Sequence, residues 1–580
     1  MDVLILLIVC SAGYVIAYNT YGKFLANKIF RLDYNKQTPS VTLEDGTDFV
    51  PTKKAIIFGH HFTSIAGTGP IVGPAIGVIW GWLPAVLWVF LGSIFMGAVH
   101  DFGSLIISMR NEGKSLSEIA ARYINPRVRM IFFLIVFVTL LLVISVFGVV
   151  IAAVFTQFPN SVIPVWAQIP ISIWLGRMVY KRGFSVPLAT IIAVILMYVS
   201  ITIGGFVPVT MPAIAGIPAS GIWTILLLIY VFIASALPVT VLLQPRDYIN
   251  AWQLFIAMGM LMLGVIASTI FGGLNIAAPA VNQNLPAGTP PIWPFMFVII
   301  ACGAISGFHS LVASGTSPKQ ISMKKDALFV GYGSMLLEGL LGLLVIVCAV
   351  AGIAMGFETE SGLLTGTDAW NNYYGTYLGA SGLSGKLAPV VNGAANMMNS
   401  FGLPHTLGVT LMGVFIASFA GTTLDTSVRL QRYIITELAG DFKIKPLTNI
   451  WVATSFAVIT AALLSFSNGT GGTGAMTLWP LFGSANQLLA SFALLLITIY
   501  LKKRTRLGWL CTAIPCLIML TITNWAQVDN FRKFNSDNKI FLAGISASLL
   551  ILTAWVFIES LVVFFKTKNT ESAAAKSAGA

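Results

Sequence analysis

Run after run of apolar residues, each about as long as a bilayer is thick, limits what this chain can fold into. A helix needs about 20 such residues to cross the hydrocarbon core. In lipid every backbone polar group must be bonded within the protein, so these runs read as helices. About fifteen segments qualify, near residues 2–22, 62–79, 82–109, 128–156, 162–178, 185–205, 221–244, 249–272, 293–316, 327–356, 406–428, 448–466, 475–501, 507–524 and 538–565. Only 9% of the residues are charged, against about 25% in soluble domains. The fold expected is all-α, a polytopic membrane protein with about 15 transmembrane segments. The first run has no basic leader region and no small-residue cleavage site, so it reads as a span and not as a signal peptide.

The charges test that count. Of the 33 Lys and Arg residues, 29 fall in alternate loops: 23–55, 110–129, 177–184, 245–248, 317–326, 429–447, 502–506 and the tail. The intervening loops hold only Lys386, Arg532, Lys533 and Lys539. Cytoplasmic loops carry the excess of positive charge. This places the N-terminus outside and the C-terminus in the cytoplasm. The net charge of +12 is then a matter of topology, and no nucleic-acid partner is expected.

No segment has the composition of a sizeable soluble domain. The longest outer loop, about 357–405, is Gly-rich and polar, and reads either as a cap over an entrance or as an ordinary loop. The tail from 566 to 580 is low in complexity and is expected to be disordered. No GxxxxGK[ST] motif is present, which argues against nucleotide-driven pumping by this chain alone. The cysteines Cys10, Cys302, Cys348, Cys511 and Cys516 lie in apolar runs without CxxC spacing and read as buried thiols. No cofactor and no resident metal are expected.

Two spans carry clustered helix breakers. One is FGHHFTSIAGTGPIVGPAIG (58–77), with Gly67, Gly69, Pro70, Gly73 and Pro74; the other is SALPVTVLLQPRDYIN (235–250), with Pro238 and Pro245. Their starts lie five spans apart, so they cross in opposite directions, as an inverted five-plus-five repeat requires. A broken helix frees amides and carbonyls that must face protein or a wet cavity. Its second half offers unpaired N–H groups and a positive dipole end.

The longer motifs carry a family resemblance. FGHHFTSIAGTGPIVGPAIGVIWGWLPA, GAVHDFGSLIISMRNEGKS, ISGFHSLVASGTSPKQI, LDTSVRLQRYIITEL and LWPLFGSANQLLA resemble the carbon starvation protein A family of bacterial inner-membrane carriers, from about residue 20 to beyond 490. The resemblance implies a secondary transporter of the amino acid–polyamine–organocation superfamily with a LeuT-type fold. It implies uptake of pyruvate or of peptides with proton coupling. Under that mapping residues 1–54 form a first helix and a cytoplasmic loop. Residues 55–440 form the transport core, in halves of about 55–205 and 221–440, and 441–565 add further helices.

The candidate residues follow from the breaks and from rare polar groups in the spans. All Lys and Arg residues fall in loops or at span ends, so a carboxylate substrate must be held by helix N-termini, hydroxyls and imidazoles. The expected cradle is Thr63, Ser64, Ala66, Gly67, Thr68 and Gly69, with His60 and His61 on its cytoplasmic side. Neighbouring helical residues diverge by about 100°, so both histidines face one site only if the backbone there is not helical. Ionisable groups inside spans are rare and face protein or water; His100, Asp101, His309 and Glu338 are therefore the candidates for ion coupling. Under the family mapping, Ser314, Thr316 and Ser317 lie where a LeuT-type carrier holds sodium, although protons are the first choice. Asp425 and Arg429, four apart, read as a surface pair or a gate, and Asn486 and Gln487 as interhelical hydrogen-bonding groups. The expected function is a proton-coupled carrier for pyruvate or a similar small organic acid. A peptide carrier is its rival within the class. A transport-free nutrient receptor and a metal- or haem-bearing membrane enzyme are more remote. The partners expected are a small-molecule substrate and the lipid bilayer; nothing in the sequence fixes an oligomeric state.

Overall fold

The computed structural model describes residues 2–33, 36–360, 362–377 and 383–566. Nearly all of the expected C-terminal tail lies outside them. The helices, in chain order, are α1 (Val3–Ile29), α2 (Lys54–Ala66), α3 (Gly69–Trp80), α4 (Trp82–Arg110), α5 (Leu116–Tyr123), α6 (Pro126–Gln157), α7 (Pro159–Lys181), α8 (Val186–Phe206), α9 (Ala219–Ala236) and α10 (Leu243–Phe271). They continue with α11 (Ile292–Ile299), α12 (Gly307–Gly315), α13 (Lys324–Met355), α14 (Gly366–Tyr374), α15 (Leu383–Asn399), α16 (His405–Asp441), α17 (Ile450–Ser465), α18 (Trp479–Lys502), α19 (Leu510–Ser536) and α20 (Ile540–Lys566).

Twelve described helices are long and apolar enough to cross a membrane, and the bent pair α2–α3 makes a thirteenth. The expected count of about fifteen is not reached on this measure. Residues 293–316 fold as two half-length helices, and 448–466 as a helix of 16 residues. The segment 357–405 is not a plain loop either. It carries an antiparallel hairpin, Phe357–Thr359 against Gly362–Leu364, and then α14 and α15. On α15, Val390, Val391, Ala394, Met397 and Met398 are all buried. Gly393 on α15 and Gly352 on α13 face each other so closely that a Cβ on Gly352 would sit 2.5 Å from Gly393 O. Small residues allow this approach of two backbones.

The first break lies where its glycines place it. α2 ends at Ala66, Gly67 takes a positive φ of 32°, and α3 leaves at 41° to α2. The second break is not at Pro238. α9 ends at Ala236 and α10 begins at Leu243, so residues 237–242 join two separate helices. Pro245 stands in the first turn of α10, where no intrahelical N–H is needed. The break within a span is instead at 300–306, between α11 and α12. There Ala304 and Ile305 both donate their amides to Ala301 O (3.2 and 2.8 Å), and Gly303 has φ +89°. Six span-length helices, α4 and α6 to α10, separate the two breaks, so their spacing differs from the five-span offset read from Pro238.

The two breaks touch. A Cβ on Gly69 would lie 2.5 Å from Cys302 Cβ, and one on Gly73 would lie 2.6 Å from Ile299 O. The space a side chain would take is filled by the Cys302 side chain at Gly69 and by the backbone of Ile299 and Ile300 at Gly73.

The Lys/Arg-rich loops gather on one face. Val50 and Thr52 donate their amides to Lys319 O and Gln320 O (3.0 and 2.9 Å), and Val239 N donates to Thr47 O (3.3 Å). Arg429 reaches Asp48 (2.9 Å) and the carbonyl of Leu237, Tyr433 donates to Asp48 (2.6 Å), and Ser115 donates to Glu437 (3.2 Å). Burial pushes the Asp48 carboxyl upward. Arg429, the Tyr433 hydroxyl, Lys319 and Arg432 outweigh that and hold it below its ordinary value. Such a carboxylate adds stability above its ordinary pKa and loses it as pH falls through the lowered one.

A packing prediction follows. A Cβ on Gly307 would overlap Asn486 O and lie 2.7 Å from Ala490 N, both backbone atoms of α18. Overpacking of this kind costs about 1–3 kcal/mol. Gly307→Ala is therefore expected to lower the thermal midpoint in detergent, whereas alanine at Gly440, with open space around it, leaves it unchanged.

Candidate functional site

A cavity of about 750 Å³ runs from the face opposite the basic loops down to both breaks. At its floor are Thr68 and Gly69 of the first break, and Ala301 and Cys302 of the second. Its walls are largely apolar, with Val72, Ile76, Phe147, Phe295 and Phe482. Lys533, Asp529, Asp537 and Lys539, around the α19–α20 turn, bring charges of both signs to it. The first turn of α3 receives no side-chain cap. Pro70 has no N–H, and Ile71 and Val72 donate to Thr68 O (3.1 and 2.9 Å), so the Gly69 amide and the dipole end are what this terminus can turn toward an anion.

Just behind Cys302 is a chain of four titratable side chains, all fully buried. His100 Nδ1 lies 2.7 Å from Asp101 Oδ1, and Asp101 Oδ2 lies 3.1 Å from His309 Nδ1. His309 Nε2 lies 3.4 Å from Glu338 Oε2, and Glu338 Oε1 accepts the Gly303 amide (3.0 Å). α4, α12 and α13 contribute one stretch each. A single imidazolium here balances one of the two carboxylates. Bringing buried charge closer to balance takes a further proton or a cation, because an uncompensated ion in low dielectric is costly. His100 Nε2, His309 Nε2 and Glu338 Oε2 have no hydrogen-bond partner among the described residues.

A second network surrounds α2. His60 Nδ1 lies 2.5 Å from Asp247 Oδ2, and its Nε2 lies 3.2 Å from Gln320 Nε2. Gln320 in turn accepts from Gln244 (2.6 Å). His61 Nδ1 lies 2.7 Å from Ser317 Oγ. The backbone at both histidines is regular helix, so the rings diverge toward different partners as the 100° rule requires. A third network is the buried pair Arg246–Asp425, with Tyr230 OH donating to Asp425 (2.9 Å) and accepting from Arg246 (2.6 Å).

The structure thus sorts the candidates. His100, Asp101, His309 and Glu338 come together. Of the eight cradle residues, Thr68 and Gly69 line the cavity. Thr63 bonds back to Gly59 O (2.8 Å), Ser64 faces Thr426 Oγ1 (3.4 Å), Ala66 is fully buried, and the Cβ position of Gly67 is filled by Thr423. The three hydroxyls proposed for sodium go to separate partners. Ser314 Oγ accepts the Leu116 amide (3.4 Å), Thr316 donates to Val312 O (3.2 Å), and Ser317 meets His61. Asp425 and Arg429 are not a surface pair: both are buried, and they pair with Arg246 and Asp48 instead. Asn486 bonds between helices as expected, accepting the Phe308 amide (2.8 Å) at the start of α12.

Sequence reasoning missed Arg246 and Asp247 as buried charges, because QPRDYIN reads as a loop. The signal was present in the apolar helix that follows with no further breaker. Cys302 was placed only as a buried thiol.

These helices and this cavity define a multi-pass membrane transporter, and comparison with known proteins agrees. The chain superposes on the manganese transporter of Eremococcus coleocola, solved with an aromatic bis-isothiourea compound, with a TM-score of 0.52 at 10% identity, covering 91% of this chain and 99% of that one. That likeness is one of fold. Residues 2–526 match the family described as carbon starvation protein CstA, and the chain belongs to that family. Its relatives include the peptide transporter CstA of Campylobacter jejuni, 33% identical over 91% of this chain and 80% of the relative. The peptide transporter CstA of Bacillus subtilis is 31% identical over 97% and 96%. The pyruvate/proton symporter BtsT of Escherichia coli is 31% identical over 88% and 79%.

The Arg246–Asp425 pair yields a stability prediction. Removing one partner of a buried pair costs about 3–5 kcal/mol, while replacing both by apolar residues is often neutral. Asp425→Leu should lower the thermal midpoint strongly, and Arg246→Met with Asp425→Leu should recover most of the loss in the same thermal-shift assay.

Proposed function

We propose that this protein takes up pyruvate or a similar small organic acid across the bacterial inner membrane, driven by protons, through alternating access. The observation that carries the reading is the position of the His100–Asp101–His309–Glu338 chain directly behind the cavity floor. A carboxylate entering the cavity meets the uncapped start of α3 at Thr68 and Gly69. Its charge is felt across Cys302 by a cluster that can gain or lose a proton without any other ion moving. The basic loops face the cytoplasm by the positive-inside rule, so the cavity opens outward. The N-terminus is then outside and the C-terminus inside. The contacts of Asp48 with Arg429, Arg432 and Tyr433 close the cytoplasmic side in this state and must part for release. Sodium is the weaker coupling ion, since its candidate hydroxyls do not converge.

A peptide substrate is the second reading, and the cavity itself favours it. Its volume lies within the range of about 300–1,000 Å³ that accepts drug-sized ligands. Its mouth carries charges of both signs, as a zwitterion would meet.

Uptake into proteoliposomes decides between them. With an inward proton gradient, labelled pyruvate should accumulate and labelled dialanine should not; the reverse result would establish the peptide reading. Accumulation indifferent to the gradient would sink proton coupling. Glu338→Gln should cut gradient-driven accumulation by roughly tenfold, inside the 5–150-fold span of typical coupling energies, while substrate exchange without a gradient persists.

A further inference from the structure

We infer that Cys302, His309 and Glu338 form a binding site for one divalent cation of the zinc class, entered from the cavity. Their donor atoms all lie within 4.8 Å of one another. Two of them, His309 Nε2 and Glu338 Oε2, are buried without a hydrogen-bond partner among the described residues. Their separation of 3.4 Å is too long for a strong hydrogen bond. It is the spacing a metal would impose. Zinc bonds of about 2.0–2.1 Å at the tetrahedral angle put neighbouring donors about 3.3–3.4 Å apart.

The surroundings are those of a ligand set. Metal-bound histidines almost always hold their other ring nitrogen against a carboxylate or carbonyl, and His309 Nδ1 is 3.1 Å from Asp101 Oδ2. Ligating carboxylates are themselves hydrogen-bonded, and Glu338 Oε1 accepts the Gly303 amide at 3.0 Å. The third donor, Cys302, lines the cavity, which supplies both an entry path and an open fourth position. Thiolate, imidazole and carboxylate together select a borderline cation such as Zn²⁺ or Co²⁺ over Mg²⁺ or Ca²⁺. Binding must displace any proton held between His309 and Glu338. Competition of such a cation with the coupling proton is the one consequence that rests on the transport reading above.

Cobalt gives a test that needs no transport. The purified, reduced full-length protein should bind one equivalent of Co²⁺. It should show a thiolate-to-cobalt charge-transfer band in the near ultraviolet. Cys302→Ala should abolish the band while the other four cysteines remain, with the thermal midpoint confirming a folded protein. Glu338→Gln should weaken binding by roughly tenfold or more. No band in the wild-type protein, a band that survives Cys302→Ala, or an unchanged affinity in Glu338→Gln would each overturn the site. Failure there leaves the uptake experiment with Glu338→Gln untouched, so the two readings fall separately. If the site stands, Co²⁺ on the cavity side should inhibit gradient-driven uptake by a larger fraction in wild type than in Cys302→Ala, each measured against its own metal-free rate; equal fractional inhibition of both would overturn the competition.

Discussion

In a bilayer, a backbone amide or carbonyl that leaves a helix has no water to turn to. Both breaks in this protein answer to that constraint. At 300–306 the chain folds two amides back onto Ala301 O, gives the Gly303 amide to Glu338, and gives that of Phe308 to Asn486. At 66–69 Ile71 and Val72 give their amides to Thr68 O, Pro70 has no N–H to satisfy, and the turn stands without a side-chain cap at the floor of the cavity. The second break is thus held in addition by side chains of other helices, whereas the first meets the cavity through Thr68 and Gly69. Glu338 belongs to both themes, because the same carboxylate that holds the second break also ends the buried titratable chain.

The buried charges follow a similar division. Arg246 pairs with Asp425, and Asp48 meets both Arg429 and Arg432. They hold elements together. The His100–Asp101–His309–Glu338 chain contains no Lys or Arg, and three of its polar atoms have no hydrogen-bond partner among the described residues. What separates the networks is the charge each carboxylate meets: Asp425 and Asp48 face arginines, whereas Asp101 and Glu338 face only histidines.

Much of this was legible in the sequence because it depends on local chemistry. Gly67 and Gly69 mark the first break, and ionisable residues in apolar runs mark Asp101, His309 and Glu338. What could not be read is which of them meet, because that depends on how α4, α12 and α13 pack. The second break was misplaced for a related reason. Pro238 and Pro245 look like stronger breakers than Ala301–Ser306, yet proline in a first helical turn disturbs nothing, and the true break has a single glycine and is held by Glu338 and Asn486 from other helices. Asp247 was missed because a charge next to a proline resembles a loop, and its burial depends on His60, which lies nearly two hundred positions away.

The paired histidines of α2 also limit how that half-helix can move. One tether leaves a helix free to roll about its own axis. His60 is held by Asp247 on α10 and His61 by Ser317 just after α12, and the two rings leave the axis about 100° apart. Two such tethers fix the azimuth. α2 can tilt between its neighbours with both bonds intact, but a roll must break one of them. The adjacent imidazoles act as a bearing that allows rocking and forbids spinning.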